Sequence, residues 1–264
     1  VGQDVSGADL TSLLEDVCSP HLVVETSRPT TVKTRVISGG QHVVRVDEES
    51  TADVASAVGQ DVLNTFKTLI EGANRPDVVI LEDYDKGLLT EDTVSGLLAA
   101  CQDAGIPVAV DPKLKRFHAY QGVALFKPNF KELNEGLGLT EPVHPQRQAD
   151  MVQAVERLQA ELGCERVMVP MGAHGTWIRA PQEGIDHLHI PAVPREVMDV
   201  SGAGDTVISV AALLLASGCD ARAIAQVSNL AGGWVCERVG VVPISKTDLQ
   251  AELPRVHAHI SYPR

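Results

Sequence analysis

From about residue 75 onward, short apolar runs alternate with longer stretches whose apolar residues recur at three- and four-residue spacing. Short runs suit strands buried on both faces, and the longer spacing gives a helix one apolar stripe. The alternation therefore predicts βα units around a mostly parallel sheet. Val78-Val79-Ile80-Leu81 reads as a strand, Thr90 to Cys101 as a helix with Thr90 as N-cap, and Val108-Ala109-Val110 as the next strand. Val123 to Phe126 is a strand, Phe130 to Gly136 a short helix, Gln148 to Leu162 a long helix closed by Gly163, and Val167-Met168-Val169 a further strand. Near the end, Val241-Val242-Pro243-Ile244 reads as an edge strand, and the stretch with Asp248-Leu249 as a terminal helix packed on the body.

The stretch from His21 to Val46 breaks this rhythm. Val32 to Ile37 and His42 to Val46 alternate polar and apolar residues around Ser38-Gly39-Gly40, which predicts a β-hairpin. Lys33, Arg35 and Arg45 give the hairpin a cationic side. Such a flap can close over a ligand. It can equally be an edge hairpin that carries Lys and Arg against aggregation.

Composition narrows the class of protein. A chain of 264 residues, 44% hydrophobic and 22% charged, is long enough for one large core, with room for a small appendage. Its 22 Lys+Arg against 35 Asp+Glu leave a net charge of −13, which offers no basic footprint for nucleic acid or an anionic membrane surface. No apolar run is long enough to span a bilayer, and the first residues, Val1-Gly2-Gln3-Asp4, do not resemble a signal peptide. The five cysteines, Cys18, Cys101, Cys164, Cys219 and Cys236, are scattered and form no C-x-x-C, which points to reduced thiols and a cytoplasmic setting.

The most informative segment is Asp199-Val200-Ser201-Gly202-Ala203-Gly204-Asp205-Thr206 ahead of the apolar helix Val207 to Ala216. Two glycines allow a tight turn into a helix, so the amides of 203 to 205 point outward at its positive end and can cradle an anion. Asp205 would repel a phosphate there unless it had another task, such as taking a proton from an attacking hydroxyl, and the pairing suggests phosphoryl transfer. The plainer reading makes Asp205 a favoured first-turn acid. A second segment, Lys127-Pro128-Asn129-Phe130-Lys131-Glu132, places Asn129 and Glu132 on one helical face. They could serve a hydrated Mg²⁺ beside a polyphosphate, or form a capping box and nothing more. P-loop, complete dinucleotide-fold, protein-kinase, H-E-x-x-H and G-x-S-x-G signatures are all missing. His187 and His189, at strand spacing, read as surface residues.

The order Asp83-Tyr84-Asp85-Lys86-Gly87, Val110-Asp111-Pro112-Lys113, Pro128-Asn129-x-x-Glu132 and Gly202-Ala203-Gly204-Asp205 resembles the ribokinase, or phosphofructokinase-B-type, superfamily of sugar kinases across nearly the whole chain. Within it, Arg28 to Arg35, Leu81 to Gly87 and Asp199 to Val207 are most similar to the D-glycero-D-manno-heptose-7-phosphate kinases. The resemblance implies an α/β fold, a ribokinase-like three-layer sandwich with a small β-hairpin lid at about 21–47 that covers the sugar and supports a homodimer. It implies ATP and Mg²⁺ as cofactors, with Asp205 as catalytic base and Gly202, Ala203 and Gly204 as the anion hole. Asn129 and Glu132 would organise Mg²⁺ and the phosphates, Gly172 and Gly175 would lie along the ATP, and the segment holding Asn229 and Gly233, with the turn at 240–243, would take the adenine. Arg28, Lys33, Arg35, Asp83, Lys86 and Lys113 are the candidates for the sugar phosphate, and the implied reaction phosphorylates its anomeric C1 hydroxyl.

Two departures qualify this. Family members carry a first strand, part of the lid and a Gly-Gly-Asn-type sugar-binding stretch ahead of the portion that matches Gly2 to Gly7, so an earlier segment is expected to be missing here. No H-x-G-H nucleotidyltransferase motif occurs, so adenylylation is not expected of these residues. A kinase for a hexose, a hexose phosphate or a nucleoside, and a non-catalytic nucleotide- or sugar-phosphate-binding protein, remain alternatives.

Overall fold

The computed structural model describes residues 1–38 and 41–255. The chain divides into two compact units, residues 1–75 with 85–97, and residues 76–84 with 98–264. Gly39 and Gly40, expected to make the hairpin turn, lie outside the described residues.

In the first unit, α1 (Val5–Glu15) is capped by Asp4, whose Oδ1 accepts the Gly7 amide at 2.8 Å. Its Oδ2 accepts the Thr30 amide at 2.7 Å, which ties the helix start to the lead-in of the hairpin. These backbone bonds hold the Asp4 carboxyl below its ordinary range. The strands β1 (Val32–Ser38) and β2 (Gln41–Glu48) pair antiparallel as expected, with Arg35 opposite Arg45 and Val36 opposite Val44. Residues 21–31, ahead of the strands, are irregular. α2 (Ser56–Glu71) follows.

The second unit is built on a six-stranded sheet. Its strands are β3 (Val79–Glu82), β4 (Val108–Asp111), β5 (Leu125–Phe126), β6 (Val167–Pro170), β7 (Thr176–Ala180) and β8 (Ile185–Ile190), in that spatial order. The first four run parallel and the last two antiparallel. Between β3 and β4 runs α3 (Glu91–Ala104), started by Thr90, whose Oγ1 accepts the Thr93 amide at 3.1 Å. Then come α4 (Phe130–Gly136) and α5 (Gln148–Leu162), which Gly163 closes in the left-handed conformation. The chain continues with α6 (Ala203–Ala216), α7 (Ala221–Cys236) and α8 (Lys246–Glu252).

Strand alternation sorts the core into two layers around the sheet. Ala109, Leu125, Met168 and Ile178 turn toward α6 and α7 and meet Val207, Ile208, Ala211, Ile224 and Ala225. Val110, Phe126, Val167 and Val169, equally buried, turn the other way, the side on which α4 and α5 pack against β6. All four residues of β4 are buried, as a central parallel strand covered on both faces requires. The three-layer α/β architecture with a separate antiparallel hairpin is thus present. Among the described residues, no helix is long and apolar enough to cross a membrane.

Two expectations need correction. The run at 241–244 is not a strand. Residues 241–245 are irregular, because Pro243 has no N–H to give a ladder, and Val241 lies against Gly202 instead. The strand expected from Val123 is only Leu125–Phe126, since the Val123 carbonyl already accepts the Glu165 amide at 2.9 Å.

Phe126 is wholly buried, edge-on to Phe117 at 5.2 Å and beside Tyr120 at 6.3 Å. Phe126→Ala is therefore expected to destabilise by about 3–5 kcal/mol. Urea unfolding should show this as a lower midpoint at unchanged slope.

Candidate active site

A parallel sheet delivers the C-terminal ends of its strands to one edge, the place where open α/β sheets bind their ligands. β3 ends at Glu82 and β4 at Asp111, paired in register, and the Asp83 amide donates to the Asp111 carbonyl at 3.0 Å. Lys127 follows β5, its amide bonded to the Val110 carbonyl at 2.9 Å, and its Nζ reaches Asp111 Oδ2 at 2.6 Å. Both partners are buried, Lys127 at 2% exposure and Asp111 at 5%.

The first turn of α6 stands beside this pair. A Cβ built on Gly204 would lie 3.7 Å from Asp111 Oδ2. The turn into the helix depends on Gly202, at φ 77°, where an L side chain would be strained. Asp199 fastens the loop: Oδ1 accepts the Ser201 amide at 2.9 Å and hydroxyl at 2.8 Å, and Oδ2 accepts the Gly240 amide at 3.0 Å. The amides of Ala203 and Thr206 are bonded to the Val200 and Gly202 carbonyls. Those of Gly204 and Asp205 have no protein acceptor among the described residues, and both residues are exposed. Here, then, is an open pair of N–H donors at the positive end of a fourteen-residue helix, with a solvent-facing carboxylate on the same turn.

The electrostatics follow from crowding. Burial first, then the neighbouring Asp111 and Asp205 charges, push the Glu82 carboxyl up to about 8, against a smaller opposing pull from Lys127. Burial and the Asp205 and Glu82 charges also raise the Tyr84 phenol. Burial would lower the Lys113 ammonium, but its bond to Glu132 together with the Glu132, Asp111 and Glu82 charges holds it above the ordinary lysine value.

Asn129 and Glu132 form the capping box of α4. The Asn129 Oδ1 accepts the Glu132 amide at 2.9 Å, and Glu132 Oε2 accepts the Asn129 amide at 2.8 Å. Glu132 Oε1 takes Lys113 Nζ at 2.7 Å, and that lysine lies 4.0 Å from Asp111. Lys113 and Glu132 therefore join the strand-end cluster. Asp83 is at the same edge but buried, its Oδ2 accepting the Tyr120 hydroxyl at 2.7 Å.

Gly172 and Gly175 border the short turn between β6 and β7. Gly175, at φ 84°, comes so near the Ile190 carbonyl that a Cβ would lie 2.0 Å from its oxygen. Asn229, on α7, accepts the Thr176 hydroxyl at 3.0 Å and donates to the Pro191 carbonyl at 3.1 Å, while Gly233 packs against Arg195. Asn229 thus fastens β7 and the segment after β8 to the helix.

The remaining candidates belong to the first unit. Lys86 Nζ contacts Glu49 at 2.7 Å and Lys33 reaches the same carboxylate at 3.8 Å. Arg28 donates to the Ala52 carbonyl at 2.6 Å, and Arg35 is exposed on β1. The sequence reading assigns no role to Glu82 or Lys127. Their signal is positional, a charged residue directly after an apolar strand, and it acquires meaning only once register places the strand ends together.

Residues 1–248 match the model of the pfkB family of carbohydrate kinases. The chain belongs to that family. Its members are ATP-dependent sugar kinases. The chain is 35% identical over 266 residues to the bifunctional protein HldE of Azorhizobium caulinodans, covering 100% of this chain and 53% of that protein. It is 38% identical over 253 residues to the protein of the same name from Caulobacter vibrioides, covering 95% and 50%. The chain thus spans about half the length of the curated relatives it matches. Phosphofructokinase-2 from Escherichia coli, solved with potassium, shares the fold at a TM-score of 0.79 and 18% identity, over 97% of this chain and 80% of that one. Ribokinase from Giardia lamblia does so at 0.74 and 17%, over 97% and 81%.

Replacing Lys127 with Met would leave the Asp111 carboxylate buried without its cation, at an expected cost of about 3–5 kcal/mol. Chemical denaturation should show this loss as a lower midpoint at unchanged slope. Adding Asp111→Asn should recover most of it at neutral pH.

Proposed function

We propose that this pfkB-family chain phosphorylates the anomeric C1 hydroxyl of D-glycero-D-manno-heptose 7-phosphate with ATP, giving the 1,7-bisphosphate. The observation that carries the chemistry is the first turn of α6, where two unbonded amides and the exposed Asp205 carboxylate share one helix end. The choice of sugar rests on the relatives named HldE, at 35% and 38% identity.

In this reading Asp205 takes the proton from the attacking hydroxyl, and the amides of Gly204 and Asp205 hold the transferring phosphoryl group as charge builds on its oxygens, the expected amide of Ala203 being already bonded to the Val200 carbonyl. Gly202 gives the turn its shape. Asn129 and Glu132 suit a hydrated Mg²⁺ held through water, because each Glu132 oxygen accepts one protein donor and keeps a further lone pair. When bound, Mg²⁺ would neutralise charge on the nucleotide phosphates. Gly172 and Gly175 let backbone run close to the phosphates, and the segment with Asn229 and Gly233, with the turn at 240–243, is assigned to adenine. Lys113 is assigned to the sugar phosphate together with Asp83. So is the cationic set of the first unit, Arg28, Lys33, Arg35 and Lys86, because a doubly charged phosphate needs positive partners. The reading extends to a cytoplasmic homodimer joined through the hairpin, supported by exposed Val36, Val44 and Val46 on one of its faces.

Asp205→Asn keeps the shape and removes the base. Turnover is expected to fall by about 10²–10⁴-fold with little change in nucleotide affinity. Near-normal turnover in a coupled ADP-release assay would refute the role of Asp205. The same assay run on a hexose, a hexose phosphate, a nucleoside and the heptose phosphate should show selective turnover of the last. Nucleotide binding without ADP release from any of them would identify a non-catalytic binding protein instead.

A further inference from the structure

Of the strand-end carboxylates Glu82, Asp111 and Glu132, the two lysines Lys127 and Lys113 are bonded to only two. Asp111 holds Lys127 at 2.6 Å, and Lys113 is drawn to Glu132 at 2.7 Å. Glu82, the register partner of Asp111 on β3, forms no ion pair among the described residues and is only partly open to water. Two carboxylates on register-paired residues, with the one buried ammonium bonded to Asp111, cannot both stay ionised without a large repulsion, so one must keep its proton. The lysine selects Asp111 as the ionised member, which leaves the proton to Glu82.

We propose that Glu82 is a positioning residue that works as a neutral acid: it donates a hydrogen bond to Asp111, leaves Asp111 to Lys127, and keeps an extra negative charge away from the amide nest of α6. This deepens the kinase reading above and rests on it. The other charged or titratable groups that act on Glu82 are Asp205 from α6 and Lys127 after β5. Glu82 in turn bears on Tyr84 and Lys113. Ionisation of Glu82 would place a second uncompensated carboxylate beside Asp205, where the terminal phosphate of a nucleotide has to sit. Its elevated titration, at about 8, agrees with this geometry and puts the transition at the alkaline edge of the working range.

The test has two arms. The first is independent of catalysis. Because the folded protein keeps this proton from an ordinary 4.5 up to about 8 while the unfolded chain releases it, stability attached to the proton is complete below 4.5 and is lost as pH rises to about 8. Glu82→Gln removes that dependence. The thermal midpoint of the variant relative to the parent should therefore climb between pH 5 and pH 8 and level off above. A difference that does not vary with pH overturns the neutral-acid assignment, even in a protein that turns nothing over.

The second arm is the pH profile of kcat/KM for ATP. In the parent it should fall about tenfold per pH unit above roughly pH 8, chiefly through KM. In Glu82→Gln, which keeps a donor for Asp111, activity at pH 7 should stay within about threefold and the alkaline fall should vanish. Glu82→Leu, which has no donor, should lose activity at every pH. An alkaline fall that persists unchanged in Glu82→Gln overturns the positioning role. Failure of every sugar in every variant would count against the kinase reading alone, because the first arm still reports on the proton.

Discussion

The ion pair between Lys127 and Asp111 sits where the organisation of the second unit converges. A parallel sheet forces the C-terminal ends of β3, β4 and β5 to one edge, so the residues that follow each strand become neighbours whatever their charge. Here those residues are Glu82, Asp111 and Lys127, and α6 brings Asp205 to the same place. A buried pair of this kind adds little net stability, because both ions surrender their water. What it does provide is direction. The lysine pins the Asp111 side chain beside the helix start. The capping box of α4 does the same on the neighbouring loop, where Glu132 holds Lys113 in place.

Exposure at the helix start has an equally physical cause. A helix N-terminus normally satisfies its first amides with a side-chain cap, as Asp220 does for α7 and Ser245 for α8. At α6 the cap position is Gly202, which has no side chain to offer, and the acceptor that could have served, Asp199, is spent on Ser201 and Gly240. The Gly204 and Asp205 amides are left without a protein acceptor among the described residues. The bond from Asp199 to Gly240 also couples the α6 turn to the segment after α7, so that Val241 lies against Gly202. Loop and turn therefore form one wall.

Much of this was legible in the sequence, and what escaped did so for definable reasons. Periodicity located β3, β4, β6, α4 and α5 because each is long or regular enough to show its face, and Gly163 marked the end of α5. The tight Gly-Ala-Gly-Asp turn into α6 was readable from its two glycines, while its chemistry stayed open between a nest and a mere connection until the family resemblance was added. It failed at 241–244, where four apolar residues suggested a strand but the side chains cover a turn and Pro243 gives the ladder nothing. It was silent on the partnership of Glu82, Asp111 and Lys127. These residues are 29 and 16 positions apart in pairs, and nothing local links them. Register across parallel strands is a tertiary fact, visible in a sequence only after the strand order is known.

The Asn129–Glu132 segment shows why a structural and a functional reading of one motif need not compete. Reciprocal bonds between side chain and backbone make it a capping box in every geometric respect. That same box fixes the rotamers of both residues, holds Glu132 at 6% exposure and binds its second oxygen to Lys113. A carboxylate immobilised in this way has already lost its side-chain entropy in folding, so any ligand that uses its remaining lone pairs, directly or through water, meets a group with little left to order. In the proposed function, this cap after a central strand of the parallel sheet is both local structure and the group offered to a ligand.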